Sequence, residues 1–305
     1  MPYRSSLSAV LADVVAPAAE VTAREGRFPR SAVTALGRAG LLGLTVSPEF
    51  GGGGLGLPEA ADVVARTSRV CPATGAVLAS HFAAVAAVES CGASWVRGEV
   101  AAGRHLAGLA LSEGGPGHHE MEVPYGMPSS AATRFADVVA LRGRKRRVVA
   151  AGEADSYLWS SRPIAGPDGL TLWVVPAQAP DLFVPARPGG GGPGGSATST
   201  VCADPVLLPA DAMLGRDGGG LDILMRTVRP WLLELRAAVG ADVLGLGLGT
   251  DVFGLGEKCP GGKDAGGKDA GGQGPGAGGP DEKEPGDQDL ARGSACRHVD
   301  SLAST

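Results

Sequence analysis

Paired cysteines are absent from this chain of 305 residues. No Cys-x-x-Cys pair occurs, and the number of cysteines is odd: Cys71, Cys91, Cys202, Cys259 and Cys296. Disulfide frameworks are typical of secreted proteins and rare in the cytosol, and zinc sites usually carry cysteines at short, fixed spacings. The cysteine pattern therefore favours a reduced, cytoplasmic protein.

Long hydrophobic runs are also absent, since no stretch approaches the roughly 18 apolar residues of a membrane-spanning helix. The apolar stretch near the N-terminus, residues 7–15, contains Asp13, and Pro17 follows it. A proline inside a helical pattern usually ends or kinks the helix. We therefore expect Pro17 to interrupt the first helix, and we expect neither a signal peptide nor a transmembrane span.

The chain has no excess of basic residues, because 27 Lys and Arg stand against 32 Asp and Glu, for a formal net charge of -5. Proteins that bind nucleic acid concentrate Lys and Arg on one face, so nucleic acid is not an expected partner. The densest basic run, residues 142–147, has two interpretations: a phosphate-binding segment or a turn between two strands. The turn is favoured because charge clusters are commonly solvated.

The motifs of several enzyme classes are missing. Neither a Gly-x-Ser-x-Gly elbow nor a P-loop is present, which gives hydrolases and nucleoside triphosphatases no support. His118, His119 and Glu120 are adjacent, but neighbours on one loop cannot easily share a tetrahedral metal, so no metal site is predicted. Solvated histidines, or imidazoles close to a cofactor or substrate, are the two remaining interpretations of this cluster.

Patterned segments divide the chain. In residues 1–105 the apolar positions recur at helical spacing, which predicts an all-α domain. Residues 106–216 contain short runs of strand length without intervening helices, typical of an antiparallel sandwich or barrel. Residues 217–249 predict a long helix with a kink or late start at Pro230. The predicted fold class is thus α+β with several domains.

Residues 250–305 break the pattern. The unit Gly-Gly-Lys-Asp-Ala occurs twice in succession from Gly261, and the remainder offers almost nothing apolar to bury. Such composition predicts disorder. Two explanations stay open, a natural flexible tail and a reading frame displaced near codon 250. The second is favoured by the apolar residues 232–248, which lack obvious packing partners.

A glycine-rich loop lies at residues 51–56. Glycines can bring a backbone close to a pyrophosphate at a helix N-terminus. No strand precedes this loop, however, and no βαβ pattern surrounds it, so a structural turn is favoured.

A second interpretation of this loop comes from the residues on either side of it. Residues 43–56 (GLTVSPEFGGGGLG) resemble the N-terminal signature of the acyl-CoA dehydrogenase family. Further segments resemble the family in the same order: residues 109–115, residues 143–149 with Ala154 and Asp155, residues 206–209 with 214–215, and Thr227, Arg229 and Pro230. The resemblance covers residues 5 to about 248.

This resemblance implies a helical N-terminal domain, a β-barrel middle domain and a C-terminal helical bundle, of which only the first helix is matched here. It implies FAD between barrel and bundle, usually in a homo-tetramer; a related subunit is the alternative partner. The implied reaction oxidises the CH–CH bond of an acyl thioester carried on CoA or on a carrier protein. A glutamate removes the α-proton while the β-hydrogen leaves as hydride to the flavin. The electron acceptor is not identified.

The resemblance also assigns six residues to FAD: Leu109, Leu111, Ser112, His118, Arg147 and Val149. Ser112 keeps a hydroxyl for the ring edge. The family's frequent Trp-x-Thr stands here as Arg147-Val148-Val149, which removes an aromatic wall and a hydroxyl, although a guanidinium can stack on the ring. Gly117-His118-His119 stands where Gly-Ser-Asp is common. These departures indicate a divergent member with a specialised substrate.

Two residues of the long helix are assigned to the substrate. Arg229 lies where some members bind it. The catalytic glutamate usually lies in the unmatched part of the bundle, but a minority of members place it on this helix, where Glu234 is the one carboxylate of the central stretch. Its spacing from Arg236 fits the family pattern poorly, so a solvated or helix-paired Glu234 is favoured. The leading function is an acyl-CoA dehydrogenase-like oxidoreductase. A flavin-dependent monooxygenase and a non-catalytic partner subunit are the alternatives.

Overall fold

The computed structural model describes residues 2–114, 128–185 and 194–239. Its N-terminal part is helical, which confirms the all-α prediction: α1 (Pro2–Val10), α2 (Ala16–Glu25), α3 (Arg30–Arg38), α4 (Leu57–Val70), α5 (Pro72–Cys91) and α6 (Ser94–Ala101). The last two described helices are α7 (Gly220–Ile223) and α8 (Arg229–Val239). The predicted disordered tail lies outside the described residues, and the three boundaries between the four predicted segments stay predictions.

Two four-stranded sheets follow the helices, in the orders β1-β4-β5-β8 and β2-β3-β7-β6. The strands are β1 (Ala107–Ala110), β2 (Ala131–Phe135), β3 (Val138–Val148), β4 (Ser156–Ser161), β5 (Thr171–Pro176), β6 (Leu182–Phe183), β7 (Ser199–Pro209) and β8 (Met213–Leu214). Antiparallel pairing joins most neighbours, as predicted, but β1 and β4 are parallel. The chain crosses to the other sheet after β1 and returns beside it in β4, so both strands run the same way.

The basic run at residues 142–147 is not a turn, and that prediction was wrong. It lies within β3, which pairs with β2 on one side and β7 on the other. Arg144 is exposed, whereas Lys145 is fully buried. The register of β3 against β7 shifts between Lys145 and Val148, and Arg147 between them has a φ of 54°. A buried lysine inside a strand carries the same sequence signal as a solvated one.

Two prolines lie within helical stretches, each just after a π-helical turn. Leu11–Val15 precedes Pro17, and Leu224–Val228 precedes Pro230. A proline lacks an N–H, and its ring crowds the carbonyl four residues earlier, so a wider turn relieves the conflict. Pro17 therefore does not interrupt the first helical stretch, contrary to the sequence-based expectation.

Helix α5 lies at the centre of the core. Every residue from Ala73 to Val88 is buried, and α5 contacts α4, α8 and β1. By length and composition, α5 and the stretch Tyr3–Glu25 could each cross a membrane. The apolar window of α5 is 83% buried inside the protein, as expected for a core helix, against 22% for Tyr3–Glu25.

His81 on α5 joins the helical part to the first strand. Its Nδ1 accepts a hydrogen bond from the Ala107 N–H at 3.1 Å, so its Nε2 carries the proton and donates to the Leu42 carbonyl at 3.0 Å. Burial lowers the pKa of His81 to about 4. The neutral imidazole is therefore the form that fits this site.

The glycine loop packs against the chain's own backbone, in agreement with a structural turn. A Cβ at Gly52 would lie 2.2 Å from the Val46 carbonyl oxygen. Gly51 instead has a φ of 88° and open space where a Cβ would stand. The two glycines are thus needed for different reasons, close approach and backbone conformation.

We expect Gly52→Ala to lower the free energy of unfolding by about 3 kcal/mol, because the new methyl group meets fixed backbone. Gly51→Ala is the matched control and should cost only about 1 kcal/mol, the strain of a left-handed residue. Urea unfolding of both variants measures the difference. Equal costs would show that the loop can move away from Val46.

Candidate functional site

The segment after β1 and the end of β3 lie side by side. We call residues 111–113 and 145–147 together the β1–β3 seam. The Arg146 N–H donates to the Ser112 carbonyl at 2.7 Å, and the Lys145 Nζ lies 3.5 Å from the Leu111 carbonyl oxygen. These links bring Ser112 close to Arg147, although 35 positions separate them in the sequence.

The structure brings together most residues that the sequence assigns to FAD. Leu111, Ser112 and Arg147 are half-buried in the seam. Leu109 on β1 and Val149 just after β3 are buried in the core behind it. They can support the seam but offer little surface of their own. His118 lies outside the described residues.

A buried ion pair holds the seam together, and the sequence analysis did not single it out. Lys145 is fully buried, with its Nζ 2.5 Å from Glu113 Oε1 and 2.8 Å from Ser160 Oγ. Glu113 also accepts hydrogen bonds from the backbone N–H groups and hydroxyls of Ser129 and Ser130. The partners are 32 residues apart, so only the folded register reveals the pair.

The pKa values of this pair follow from burial and mutual attraction. Burial lowers the pKa of Lys145 to about 8, while the Glu113 charge acts in the opposite direction. Burial raises the pKa of Glu113, but the Lys145 charge and the hydrogen bonds from Lys145, Ser129 and Ser130 together lower it to about 2. Both groups are therefore ionised at pH 7, and the pair is neutral as a whole.

Arg147 differs from its neighbour Lys145. In the described part of the chain its side chain has no hydrogen bond, ion pair or ring contact, and its Nε is buried without a partner. An unsatisfied buried N–H group costs about 1–3 kcal/mol. Because Lys145 and Glu113 neutralise each other, the positive charge of the seam comes from its arginines.

The two substrate-assigned residues lie on α8, apart from the seam. Helix α8 packs on α4 and α5 and buries Leu232 and Leu235. Arg229 is half-buried at the first residue of α8, and Glu234 is exposed. Within residues 2–114, 128–185 and 194–239, no hydrogen bond or ion pair joins either residue to the seam, and no cluster of three metal-ligating side chains occurs.

Comparisons with known proteins agree with this architecture. Residues 2–100 match the model of the acyl-CoA dehydrogenase N-terminal domain. The human mitochondrial short-chain specific acyl-CoA dehydrogenase is 28% identical over 221 residues, which cover 70% of this chain and 52% of that enzyme. Residues 2–100 are therefore an N-terminal domain of the acyl-CoA dehydrogenase type.

Solved structures show that the chain shares the fold of acyl-CoA dehydrogenases. Butyryl-CoA dehydrogenase from Megasphaera elsdenii superposes with a TM-score of 0.67 at 20% identity, over 80% of this chain and 65% of that one. An FAD complex of PigA gives a TM-score of 0.65 at 18% identity, over 78% and 65%. The chain spans about half to three fifths of the length of its curated relatives.

Proposed function

We propose that this chain binds FAD at the β1–β3 seam and belongs to an oxidoreductase that oxidises the CH–CH bond of an acyl thioester. The observation that carries the proposal is the buried Arg147 Nε, which has no partner among the described residues and directly follows Arg146, whose N–H bonds the Ser112 carbonyl. The chain is also similar to acyl-CoA dehydrogenases. The thioester is carried on CoA or on a carrier protein.

The residues of the seam fit a flavin ring. The edge of the ring carries oxygen and nitrogen atoms that accept hydrogen bonds, and the Ser112 hydroxyl and the Arg147 guanidinium are donors of the matching kind. Both residues are half-buried, and the buried Leu109 and Val149 give the seam an apolar support. FAD bound there would supply the acceptor for a hydride from the substrate. A similar fold has been solved as an FAD complex, that of PigA.

The Lys145–Glu113 pair gives the seam its rigidity. Glu113 directly follows Ser112, and Lys145 lies two residues before Arg147, so one ion pair fixes both donor-bearing segments. A preformed arrangement of donors needs no reorganisation when the ligand binds or reacts. We assign Lys145 and Glu113 to positioning and Ser112 and Arg147 to contact with the cofactor.

For the substrate, the proposal keeps Arg229 as a binding residue and tests Glu234 as the base for the α-proton against its favoured interpretation as a solvated residue. A general base must come within hydrogen-bond reach of the proton that it removes. Since Glu234 is exposed, a thioester that reaches it would lie on the outer face of α8. Association with a second copy or a related subunit would enclose that face, because Leu233 beside Glu234 is also exposed.

The test is anaerobic reduction of the FAD-loaded chain by a panel of acyl-CoA thioesters, with an artificial dye as final acceptor. We expect loss of the oxidised-flavin absorbance and reduction of the dye. If Glu234 is the base, Glu234→Gln retains FAD but is no longer reduced by the thioester. Asp222→Asn, which removes an exposed carboxylate from α7, is the matched control and should behave as the wild type.

Bound flavin that stays oxidised across the panel would contradict the dehydrogenase function. A product that forms only with reduced flavin and oxygen would instead indicate a monooxygenase of the same fold. Full activity of Glu234→Gln would exclude Glu234 as the base and leave the cofactor site unaffected.

A further inference from the structure

Arg147 occupies an unusual position in β3. In a regular strand, residues 145 and 147 point to the same face, because successive side chains alternate. Lys145 is fully buried, but Arg147 is only half-buried. The register shift between Lys145 and Val148 and the φ of 54° at Arg147 account for this difference. Bulges of this kind re-aim a side chain, often next to an active site.

Among the described residues, no charge compensates that of Arg147. Glu113, the carboxylate of the seam, is already held by Lys145 at 2.5 Å and by Ser129 and Ser130. Arg147 makes no ion pair within the described part of the chain. A guanidinium stays protonated at all relevant pH values. The structure therefore presents a permanent, half-buried cation and a free N–H donor at this edge of the seam.

We propose that Arg147 raises the reduction potential of FAD bound at the seam by stabilising its reduced, anionic form. The inference rests on the proposed function, because it requires FAD in the seam. Hydride transfer brings two electrons and one proton to the ring and leaves it with one more negative charge than before. A nearby cation attracts this added charge, and a half-buried position screens the attraction less than open solvent does.

The geometry also explains why position 147 holds an arginine where the family frequently has an uncharged tryptophan. The buried Nε lacks a partner in the described residues, so an acceptor atom on the ligand would relieve its desolvation cost. That acceptor gains electron density on reduction, which strengthens a charge-assisted hydrogen bond. Arg147 thus binds the reduced form more tightly than the oxidised form, and this difference is what a potential measures.

The experiment is the reduction potential of FAD bound to the full chain, measured by equilibration with a reference dye while xanthine oxidase supplies electrons. We compare the wild type with Arg147→Met, which removes charge and donors, and Arg147→Lys, which keeps the charge. Arg144→Met is the matched control, because it removes an exposed cation from the same strand. A parallel titration gives the affinity of each variant for oxidised FAD.

We expect Arg147→Met to weaken binding of reduced relative to oxidised FAD about tenfold, which lowers the potential by about 30 mV for a two-electron couple. Arg147→Lys should retain most of the wild-type potential, and Arg144→Met all of it. If Arg147→Met does not hold FAD, Arg147→Gln replaces it and should show the same direction of change. An unchanged potential in the uncharged variants, or an equal shift in Arg144→Met, would overturn the inference.

These outcomes separate the inference from the proposed function. A wild-type chain that binds FAD and oxidises a thioester, with an unchanged potential in Arg147→Met, keeps the proposed function and overturns the role of Arg147. A wild-type chain that does not retain FAD overturns both.

Discussion

Replacing Lys145 by methionine should lower the free energy of unfolding by about 4 kcal/mol. The substitution leaves the Glu113 carboxylate without its counter-ion at a site where Lys145 is fully buried. It also removes a donor from Ser160 Oγ. Urea unfolding at pH 7, followed by circular dichroism, measures the loss.

The second half of this experiment is a double-mutant cycle with Glu113→Gln. Neutralising both partners removes the uncompensated charge, so the double variant should be more stable than the sum of the single losses predicts, by about 2 kcal/mol. Arg142→Met is the matched control, since its ion pair with Asp204 is exposed and should contribute less than about 0.5 kcal/mol. If the losses in free energy of unfolding caused by Lys145→Met and Glu113→Gln simply added in the double variant, the two side chains would not form a stabilising buried ion pair.

Lowering the pH from 7 to 4 should lower the free energy of unfolding by about 3 kcal/mol through His81 alone. The pKa of His81 is about 4 in the folded chain, below the ordinary histidine value of about 6.5. Between these values the unfolded chain takes up a proton that the folded chain does not. Stability from this group is therefore complete above pH 6.5 and is lost as the pH falls toward 4.

His81→Gln tests this dependence, because an amide can donate to Leu42 and accept from Ala107 without titrating. Between pH 6.5 and 4.5, the free energy of unfolding of this variant should fall much less than that of the wild type. Glu113, whose pKa is lowered to about 2, contributes its own loss only below about pH 4.5. His105→Gln is a comparison variant: it should remove a separate part of the pH dependence and leave the part that comes from His81 in place. Burial lowers the pKa of His105 as well, but one ring nitrogen bonds a side chain, Ser156, so the backbone link of α5 to β1 stays intact. If His81→Gln kept the wild-type pH dependence, His81 would not be its source.

Periodicity alone was enough to predict the fold class. Helical spacing of apolar residues predicted the all-α part that contains α1 to α6, and short apolar runs predicted a part built of strands in residues 106–216. Strand β2 has no apolar run that could signal it, because its residues are mostly exposed. The prediction that Pro17 interrupts the first helix was wrong, because a π-helical turn can accommodate a proline. No known residue pattern predicts such a turn.

The candidate site could be predicted only in part. Resemblance to the family selected Ser112 and Arg147, and the register of β3 beside the end of β1 brings them together. The Lys145–Glu113 pair was not predicted, because a lysine within a run of arginines is indistinguishable from a solvated one until its partner is known. The roles of Glu234 and Arg229 still rest on the resemblance, and His118 lies outside the described residues.

The most direct test of the account is an absorbance spectrum of the purified chain after loading with FAD and gel filtration. Oxidised-flavin bands that elute with the protein, close to one FAD per chain, are the result that the β1–β3 seam predicts. Ser112→Ala should bind FAD more weakly in the same assay, by the loss of one donor. A colourless protein after loading would contradict the assignment of the seam as a flavin site.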